Sequence, residues 1–476
     1  MPPISFALAH SLPELLLAAG ALVLLMLGAF RAGKGDWIIS ELAIGLLGIA
    51  LITLFFPLEK ALIWDGAFID DAFARFMKAL ALIGAIVSLV LSREYMAREK
   101  IDQFEFPVLI ILATVGMMML ISAQSLIALY LGLELMSLAL YVVAAFHRDN
   151  VRASEAGLKY FVLGALSSGM LLYGSSLIYG FSGTVSFTGI ALALHGDVSI
   201  GIVFGLVFLI AGLAFKMSLV PFHMWTPDVY EGAPTPVTAF FASAPKMAAV
   251  AITLRIIITA FPGIATQWQQ IIVFISLMSM ALGSFAAIGQ TNLKRLMAYS
   301  SIGHMGFAMV GLVPGTEQGI RGVLVYMAIY LVMTLGTFAA ILSMRIGDKY
   351  VETIADLGGL YRNNGMMAFF LSMMMFSLAG IPPLAGFFAK LYVFQPAVDA
   401  GFYWLAVIGV LLSVVSAFYY LRVVKVIYFD EPVAAFSPVN REVTGVLVVA
   451  SLAILLFWVY PGPIVSAATS AAKSLF

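Results

Sequence analysis

Four ionisable side chains lie near the middle of long apolar stretches of this chain: Glu134, Lys216, Lys246 and Lys390. A charged group at the centre of a membrane-spanning helix costs roughly 2.5–3.5 kcal/mol on insertion scales, so such groups face the interior of a helix bundle. Burial and a nearby opposite charge act in opposite directions on the proton affinity of a lysine or a carboxylate. Residues of these types at this depth therefore predict a site that binds protons and passes them on.

These residues predict a relay. A contact between Glu134 and Lys216 would keep the proton on the lysine, and opening of that contact would release it through water toward Lys246. His304, in a segment rich in small and hydroxyl-bearing residues, and Lys390 would extend the relay. The structural alternatives are a static buried salt bridge for the charged residues and, for His304, a core histidine bonded to a neighbouring hydroxyl.

Other ionisable residues are weaker candidates. Lys159 and His223 are possible members of the relay. However, Lys159, like Arg255, can also extend its side chain to the membrane surface, and His223 can cap the helix that follows it. Asp228 and Glu231 lie in a proline-rich turn, where acidic residues are ordinary capping groups. Their functional interpretation is a mouth that collects protons.

Composition limits the class of protein and the chemistry. Of 476 residues, 62% are hydrophobic and 11% charged, and the mean hydropathy is +1.05, which indicates a membrane protein. The net charge is zero without a basic block, so no nucleic-acid partner is expected. The chain has no cysteine and five scattered histidines, which excludes disulfides and cysteine-ligated iron–sulfur clusters and gives no zinc-binding spacing.

Hydropathy predicts an all-α polytopic membrane protein that forms a single transmembrane domain over residues 1–476. A bilayer core of about 30 Å needs about 20 apolar residues per helix. Windows of that length predict fourteen spans, near residues 12–30, 37–57, 72–92, 106–122, 125–146, 155–180, 200–231, 236–261, 268–289, 296–313, 320–346, 365–396, 402–428 and 441–461.

Two of these spans, the seventh and the twelfth, are broken at Pro221 and at Pro382-Pro383. Proline removes a backbone donor, and irregular backbone at membrane depth needs protein or a watery cavity around it. Broken spans in corresponding positions of two halves indicate an inverted repeat and mark the functional site. Spans 4–8 and 9–13 are predicted to be the two inverted five-helix repeats. The resulting division is 1–105 for spans 1–3, 106–261 and 268–428 for the repeats, and 441–476 for span 14 and the tail.

The positions of lysine and arginine in the loops predict the orientation of the chain in the membrane. Lysine and arginine are concentrated in the odd-numbered loops, with Arg93, Arg148, Lys294 and Arg345 among them, so these loops are expected to be cytoplasmic. With fourteen spans both termini would then face outside, which is the periplasm in a bacterial cell. The first apolar run lacks the features of a cleaved signal peptide, and we expect it to remain as the first span.

The run HMWTPDVYEGAPTPVTAF at 223–240 resembles one of the antiporter-like subunits, subunit N, of the proton-pumping NADH:quinone oxidoreductase, which is respiratory complex I. Supporting matches are LGLELMSLALYVVAA at 131–145, NLKRLMAYSSIGHMGF at 292–307 and LAGIPPLAGFFAK at 378–390. The resemblance covers essentially the whole chain. It implies an antiporter-like fold and a membrane-arm subunit that translocates protons, coupled to electron transfer from NADH to a quinone such as ubiquinone.

The resemblance also implies roles for single residues. Glu134 and Lys216 would form a modulating pair, Lys246 the central relay and Lys390 the terminal proton site. No cofactor would be bound by this chain, since NADH, FMN, iron–sulfur clusters and quinone belong to other subunits. The enzyme class, a proton-translocating NADH:quinone reductase, would be inherited from the complex.

The implied partners are the antiporter-like M subunit, the small K-, J- and A-type subunits and lipids, in the cell inner membrane. Two other classes of function remain possible from the sequence. One is a subunit of a multisubunit cation/proton antiporter, or a related secondary transporter, for which broken helices are equally natural. The other is a structural spacer whose buried charges are static.

Overall fold

The computed structural model describes residues 4–31, 37–56, 58–194, 199–438 and 440–476. Helices form most of this part of the chain. The helices and strands up to residue 260 are α1 (Ile4–His10), α2 (Leu12–Arg31), α3 (Trp37–Thr53), β1 (Ala61–Ile63), β2 (Phe68–Asp70), α4 (Ala72–Arg98), α5 (Glu105–Ser122), α6 (Leu126–Ala144), α7 (Val151–Ser182), α8 (Phe187–Ala193), α9 (Ile200–Met217), α10 (Trp225–Gly232), α11 (Thr235–Ala242) and α12 (Ala244–Ala260).

The second half continues with the same architecture. Its elements are a 3₁₀ turn (Pro262–Ile264), α13 (Ala265–Ile288), α14 (Leu293–Val310), α15 (Glu317–Leu342), β3 (Arg345–Ile346), β4 (Lys349–Tyr350), a second 3₁₀ turn (Ile354–Leu357), α16 (Leu360–Asn363), α17 (Gly365–Ala379), α18 (Ala385–Asp399), α19 (Tyr403–Phe429), α20 (Arg441–Leu456) and α21 (Gly462–Lys473). The strands make two antiparallel hairpins, β1-β2 and β3-β4.

The prediction of an all-α membrane protein is confirmed. In the described ranges, ten helical stretches are long and apolar enough to cross a membrane, and α3 and α17 are shorter apolar helices. Every predicted span coincides with a helix or with two consecutive helices. The count of fourteen crossings and the division of the chain into repeats stay predictions.

The eighth span, predicted over 236–261, corresponds to the apolar stretch Thr235–Ala260. It is divided into α11 and α12, because Pro245 at the second position of α12 has no N–H to continue the preceding helix. One predicted boundary was wrong. The eleventh span was predicted over 320–346, but its last residues form β3, which turns at Gly347 with φ of +61°. The second span was predicted to reach residue 57, which lies outside the described residues.

Both predicted breaks are present and have the same local structure. After α9, Ser218 has φ of +64° and the N–H of Leu219 donates to the carbonyl of Ala214 at 2.9 Å. After α17, Gly380 has φ of +87° and the N–H of Ile381 donates to Phe376 at 3.0 Å. Each is a helix end with one left-handed residue and a bond back across it. This closure still leaves terminal carbonyls without helical partners inside the bundle.

The interior of the bundle is formed by α11, α12 and α15. Of the described apolar spans, Thr235–Ala260 and Glu317–Leu342 are the most completely buried. Helices α2, α7, α13 and α19 have large exposed apolar surfaces, as expected for helices that face lipid or other subunits. Residues carried by α11, α12 and α15 are therefore shielded on every side.

A buried ion pair attaches the N-terminal helices to the first predicted repeat. Arg255 on α12 is 1% exposed and donates to both oxygens of Asp71 at 2.9 Å, and its Nε donates to the Ile121 carbonyl at 3.2 Å. Asp71 also caps α4 through the N–H of Ala74. The expectation that Arg255 extends to the membrane surface was wrong, because Asp71 supplies a carboxylate inside the protein.

We expect Arg255→Met to lower the free energy of unfolding by about 3–5 kcal/mol, because it leaves the Asp71 carboxylate buried without its partner. The measurement is thermal unfolding in detergent. Arg362→Met, which removes an exposed ion pair with Glu431 at 3.7 Å, is the control and should cost less than about 1 kcal/mol. The double variant Asp71→Asn/Arg255→Met should recover part of the loss. Equal unfolding midpoints for Arg255→Met and the control would contradict this account.

Candidate functional site

Lys216 lies in the last turn of α9, 5% exposed, inside a group of aromatic rings. Its Nζ donates to the Tyr141 hydroxyl at 3.3 Å and lies 5.1 Å from the Tyr141 ring centroid, 5.6 Å from that of Tyr160 and 5.5 Å from that of Phe215. Trp225 closes this group by stacking on Tyr160 at 4.4 Å. The ammonium group is therefore stabilised by ring faces and one hydroxyl.

Glu134 and Lys216 do not form an ion pair in this structure, since no carboxylate oxygen of Glu134 lies within 4.0 Å of Lys216 Nζ. Glu134 Oε1 is buried and has no hydrogen-bond partner. Tyr141, seven residues later on the same helix, makes the contact with Lys216 instead. The role of Glu134 and Lys216 as a modulating pair stays a prediction.

Lys246 binds the interrupted end of α9. It is 1% exposed in the first turn of α12, and its Nζ donates to the carbonyl of Met217 and to the hydroxyl of Ser218, both at 3.2 Å. Met217 is the last residue of α9, so the ammonium group lies at the negative end of that helix dipole. The break and the lysine therefore stabilise each other.

Lys390 has the same arrangement at the second break. It is 6% exposed on α18, and its Nζ donates to the carbonyl of Ala379 at 2.8 Å and to the hydroxyl of Ser413 at 2.7 Å. Ala379 is the last residue of α17. The ring centroid of Phe307 lies 4.9 Å from the ammonium group. Both interrupted helices thus end on a buried lysine that neutral acceptors hold.

His304 on α14 lies among tyrosine hydroxyls. Its Nδ1 is 2.6 Å from the hydroxyl of Tyr326 and its Nε2 is 3.2 Å from that of Tyr420. Ser300 extends the network by a contact of 2.5 Å with Tyr420. Both nitrogens are satisfied, as the structural alternative requires, and both partners are groups that can accept or donate a proton.

Aromatic rings lie beside the histidine and both lysines. The ring centroid of Phe307 lies 6.4 Å from that of His304 and 4.9 Å from Lys390 Nζ, so one ring joins these two residues. The ring centroid of Tyr230 lies 6.0 Å from Lys246 Nζ. The structure therefore brings His304 and Lys390 into one buried region.

The two other candidate relay residues, Lys159 and His223, make none of these contacts. Lys159 forms ion pairs with Glu155 at 2.7 Å and with Asp228 at 2.6 Å, and its side chain is 41% exposed. His223 is half-buried in the turn after α9, and its Nδ1 has no hydrogen-bond partner. Its side chain does not cap α10, so that interpretation was wrong; its backbone carbonyl accepts from Thr226 instead.

Lys159 belongs to a charged cavity of about 240 Å³ at the end of the bundle. Arg295 bridges Asp228 and Glu231 there, with both distances 2.9 Å. The cavity is lined by Arg152, Glu155, Lys159, Asp228, Glu231 and Arg295. Asp228 and Glu231, for which the sequence left a capping role and a proton-collecting mouth as alternatives, therefore lie at a charged cavity.

The tyrosines were missing from the sequence analysis. Tyr141, Tyr326 and Tyr420 supply hydroxyls to Lys216 and His304. The one sequence feature that points to them is the spacing of Tyr326 and Tyr330, four residues apart on one face of a helix. In the described part of the chain no group of three or more histidine or carboxylate side chains is placed to hold a metal ion.

The chain is similar over most of its length to proteins of known family. The family described as "NADH:quinone oxidoreductase/Mrp antiporter, TM" matches residues 123–416. NADH-quinone oxidoreductase subunit N of Beijerinckia indica is 72% identical over the full length of both chains. The subunit N of Methylobacterium nodulans is 60% identical, covering 99% of this chain and 98% of its own. A chain of respiratory complex I from Thermus thermophilus superposes with a TM-score of 0.83 at 32% identity, covering 96% of this chain and 99% of its own.

We expect Tyr326→Phe to cost about 1–3 kcal/mol of stability, because it leaves a buried nitrogen of His304 without a partner. Tyr230→Phe is the matched control, since the Tyr230 hydroxyl is buried nearby and makes no hydrogen bond. Thermal unfolding of the two variants in detergent measures the difference. If Tyr230→Phe were as destabilising as Tyr326→Phe, the His304 contact would not be the cause.

Proposed function

The chain belongs to the subunit N branch of the NADH:quinone oxidoreductase/Mrp antiporter family, and from that premise we propose that it translocates protons while its complex passes electrons from NADH to quinone. The observation that carries the proposal is the pair of interrupted helices whose last carbonyls each bind a buried lysine, Lys246 and Lys390. Removing an ammonium group from water costs free energy, and a neighbouring carboxylate would offset that cost. A buried ammonium group without such a carboxylate is therefore suited to give up its proton.

The proposed path begins at the cavity of Asp228, Glu231 and Lys159, where exposed carboxylates take up protons. Lys216 and Glu134 form the control point: approach of the carboxylate holds the proton on Lys216, and separation of the two groups releases it. In support, Tyr141 and not Glu134 is within hydrogen-bond distance of the Lys216 ammonium group.

From Lys216 the proton passes to Lys246, then along water and hydroxyls past His304 to Lys390. Tyr326 and Tyr420 support this part of the path, since they contact both nitrogens of His304. A histidine that releases a proton from one nitrogen while accepting at the other can act as a link in such a line. His223 lies outside this path and is the weakest of the candidate relay residues.

The chemistry of NADH oxidation belongs to other subunits in this proposal. The chain is a translocase as part of its complex and binds no NADH, FMN, iron–sulfur cluster or quinone. In support, it has no cysteine to ligate a cluster. Energy from quinone reduction would arrive through neighbouring membrane subunits and would move Glu134 relative to Lys216.

We further propose that the M subunit and the small K-, J- and A-type subunits, with lipids, cover the exposed apolar faces. Large apolar side chains such as Leu166, Phe204 and Val414 are more than half exposed on α7, α9 and α19. The location is the cell inner membrane, with both termini on the periplasmic side. The positively charged end that carries Lys294 and Arg295 supports this orientation.

A subunit of a multisubunit cation/proton antiporter is the second candidate, because the matched family includes such antiporters. The relatives of 72% and 60% identity that match over nearly the full length are both named subunit N of NADH-quinone oxidoreductase, which favours the first candidate. Cation-dependent proton exchange by the purified chain in liposomes, without any other subunit, would favour the second.

We expect Lys216→Ala and Lys246→Ala in the assembled complex to lower quinone reduction and proton pumping together by about tenfold or more, since a positioned proton-transfer group contributes about 10²–10⁴-fold. Membrane vesicles supplied with NADH measure both rates. Lys425→Ala, an exposed lysine paired with Asp430, is the control and should keep both rates. Normal pumping in both buried-lysine variants would refute the relay, and altered assembly with unchanged pumping per complex would indicate a spacer.

A further inference from the structure

A second set of buried charges lies away from the proposed relay, where α2 and α4 meet. Lys78 is 2% exposed, and its Nζ lies 2.5 Å from Glu14 Oε1. It follows the first residue of α4 by six positions, or about 9 Å along the helix axis. By the predicted orientation this end of the bundle faces the periplasm. The proposed relay does not use this ion pair.

The ion pair borders a cavity of about 170 Å³. This is room for several water molecules. Two polar atoms at the cavity are buried and have no hydrogen-bond partner: Oε2 of Glu14 and the hydroxyl of Ser122, a residue only 4% exposed. The lining combines the polar residues His10, Ser11, Glu14, Asp70, Lys78 and Ser122 with the apolar residues Leu15, Ile63, Phe68, Ile69 and Met119, and most of its surface is apolar. Water in this cavity would bond to the two unpartnered oxygens, of Glu14 and Ser122, while Lys78 holds the other oxygen of Glu14.

The β1-β2 hairpin forms one wall of this cavity, through Ile63, Trp64, Phe68, Ile69 and Asp70. Asp70, at the end of β2, contacts His10 Nδ1 at 2.7 Å and accepts from Arg75. Burial alone would raise the pKa of Asp70, but the hydrogen bond from Arg75, the charge of Lys78 and the bond to His10 hold it below its usual range. Trp64, in the hairpin turn, is 42% exposed and donates to Ser11. This wall therefore carries hydrogen-bonded polar groups between the cavity and the exposed Trp64.

Helix α12, which carries Lys246 of the proposed relay, also contacts the residues around this cavity. Asp71, next to Asp70, is bound by Arg255 of α12. Arg255 follows Lys246 by nine residues, which is about 14 Å along a helix. Helix α12 therefore connects Lys246 to the residues around the cavity.

We propose that Glu14 and Lys78 form a proton-exchange pair that delivers protons to the outer side. This inference rests on the proposed function. A proton moves from the Lys78 ammonium group to Glu14, so that one N–H bond breaks as one O–H bond forms. Glu14 then gives that proton to water in the cavity, and Lys78 takes up the next proton from the interior. One proton enters and one leaves per cycle.

A static ion pair is the competing interpretation, and arginine separates the two. Arginine keeps the positive charge and the hydrogen bond but does not release its proton in a protein. Lys78→Arg therefore preserves a structural ion pair and abolishes proton exchange. Glu14→Gln keeps the size of the side chain and removes the group that carries the proton. The other charged and titratable groups around this end of α4 stay unchanged in both variants: His10, Asp65, Asp70, Asp71, Arg75 and Arg255.

The test uses the whole complex in proteoliposomes, with NADH added outside and the lumenal pH, which corresponds to the periplasm, varied. We expect Lys78→Arg and Glu14→Gln each to slow pumping severalfold and to change its dependence on lumenal pH. Lys425→Arg, the same substitution at an exposed ion pair, should change neither. Native gel electrophoresis normalises each rate to the amount of assembled complex; if Lys78→Arg fails to assemble, Glu14→Gln alone decides.

Wild-type pumping and lumenal pH dependence in Lys78→Arg and Glu14→Gln would overturn the proposal and leave a structural ion pair. The result for Lys216→Ala separates the two levels of inference. If Lys216→Ala is slow while both outer variants are normal, only the exchange pair is refuted. If Lys216→Ala pumps normally, the proposed function itself fails.

Discussion

An interrupted helix inside a membrane must satisfy its terminal carbonyls within the protein, because lipid offers no donors. This chain meets that requirement twice with a lysine. Lys246 binds the last carbonyl of α9, and Lys390 binds the last carbonyl of α17. Each helix end in turn provides a negative electrostatic environment for a charge that the membrane would otherwise exclude. The break and the lysine are thus one structural unit, and the same unit is repeated in the two halves of the bundle.

The surrounding helices are arranged around these two units. Helices α11, α12 and α15 are the most deeply buried of the apolar spans, and the tyrosines on α6, α15 and α19 provide hydroxyls where the backbone provides none. The N-terminal helices are joined to this interior through a buried ion pair between Asp71 and Arg255. A change at one end of α12 therefore reaches both the interrupted helix and the cavity at Glu14.

The depth of the ionisable residues in the bundle and the interruption of two helices could be predicted from the sequence, since both depend on local patterns. The positions of Glu134, Lys216, Lys246 and Lys390 within apolar runs placed them inside the bundle, and the prolines marked the breaks. The partners of the buried charges could not be predicted, because these contacts join residues that are far apart in the chain. Arg255 and Asp71 are separated by 184 positions, and a lysine beside an apolar run looks the same whether its partner is a carboxylate, a carbonyl or a ring. For the same reason Lys78 was overlooked.

The hydroxyl contacts around His304 have one more consequence. In the bonds between Ser300 and Tyr420 and between Ser301 and Tyr330, either oxygen can be the donor. In the proposed relay, a proton that crosses such a pair by successive hops reverses the O–H bonds behind it, so the next proton no longer meets an acceptor. The hydroxyls must rotate back before another proton can pass. Each pair would therefore transfer one proton per reorientation, and the time that this reorientation takes would set an upper limit on the rate of proton transfer through this part of the bundle.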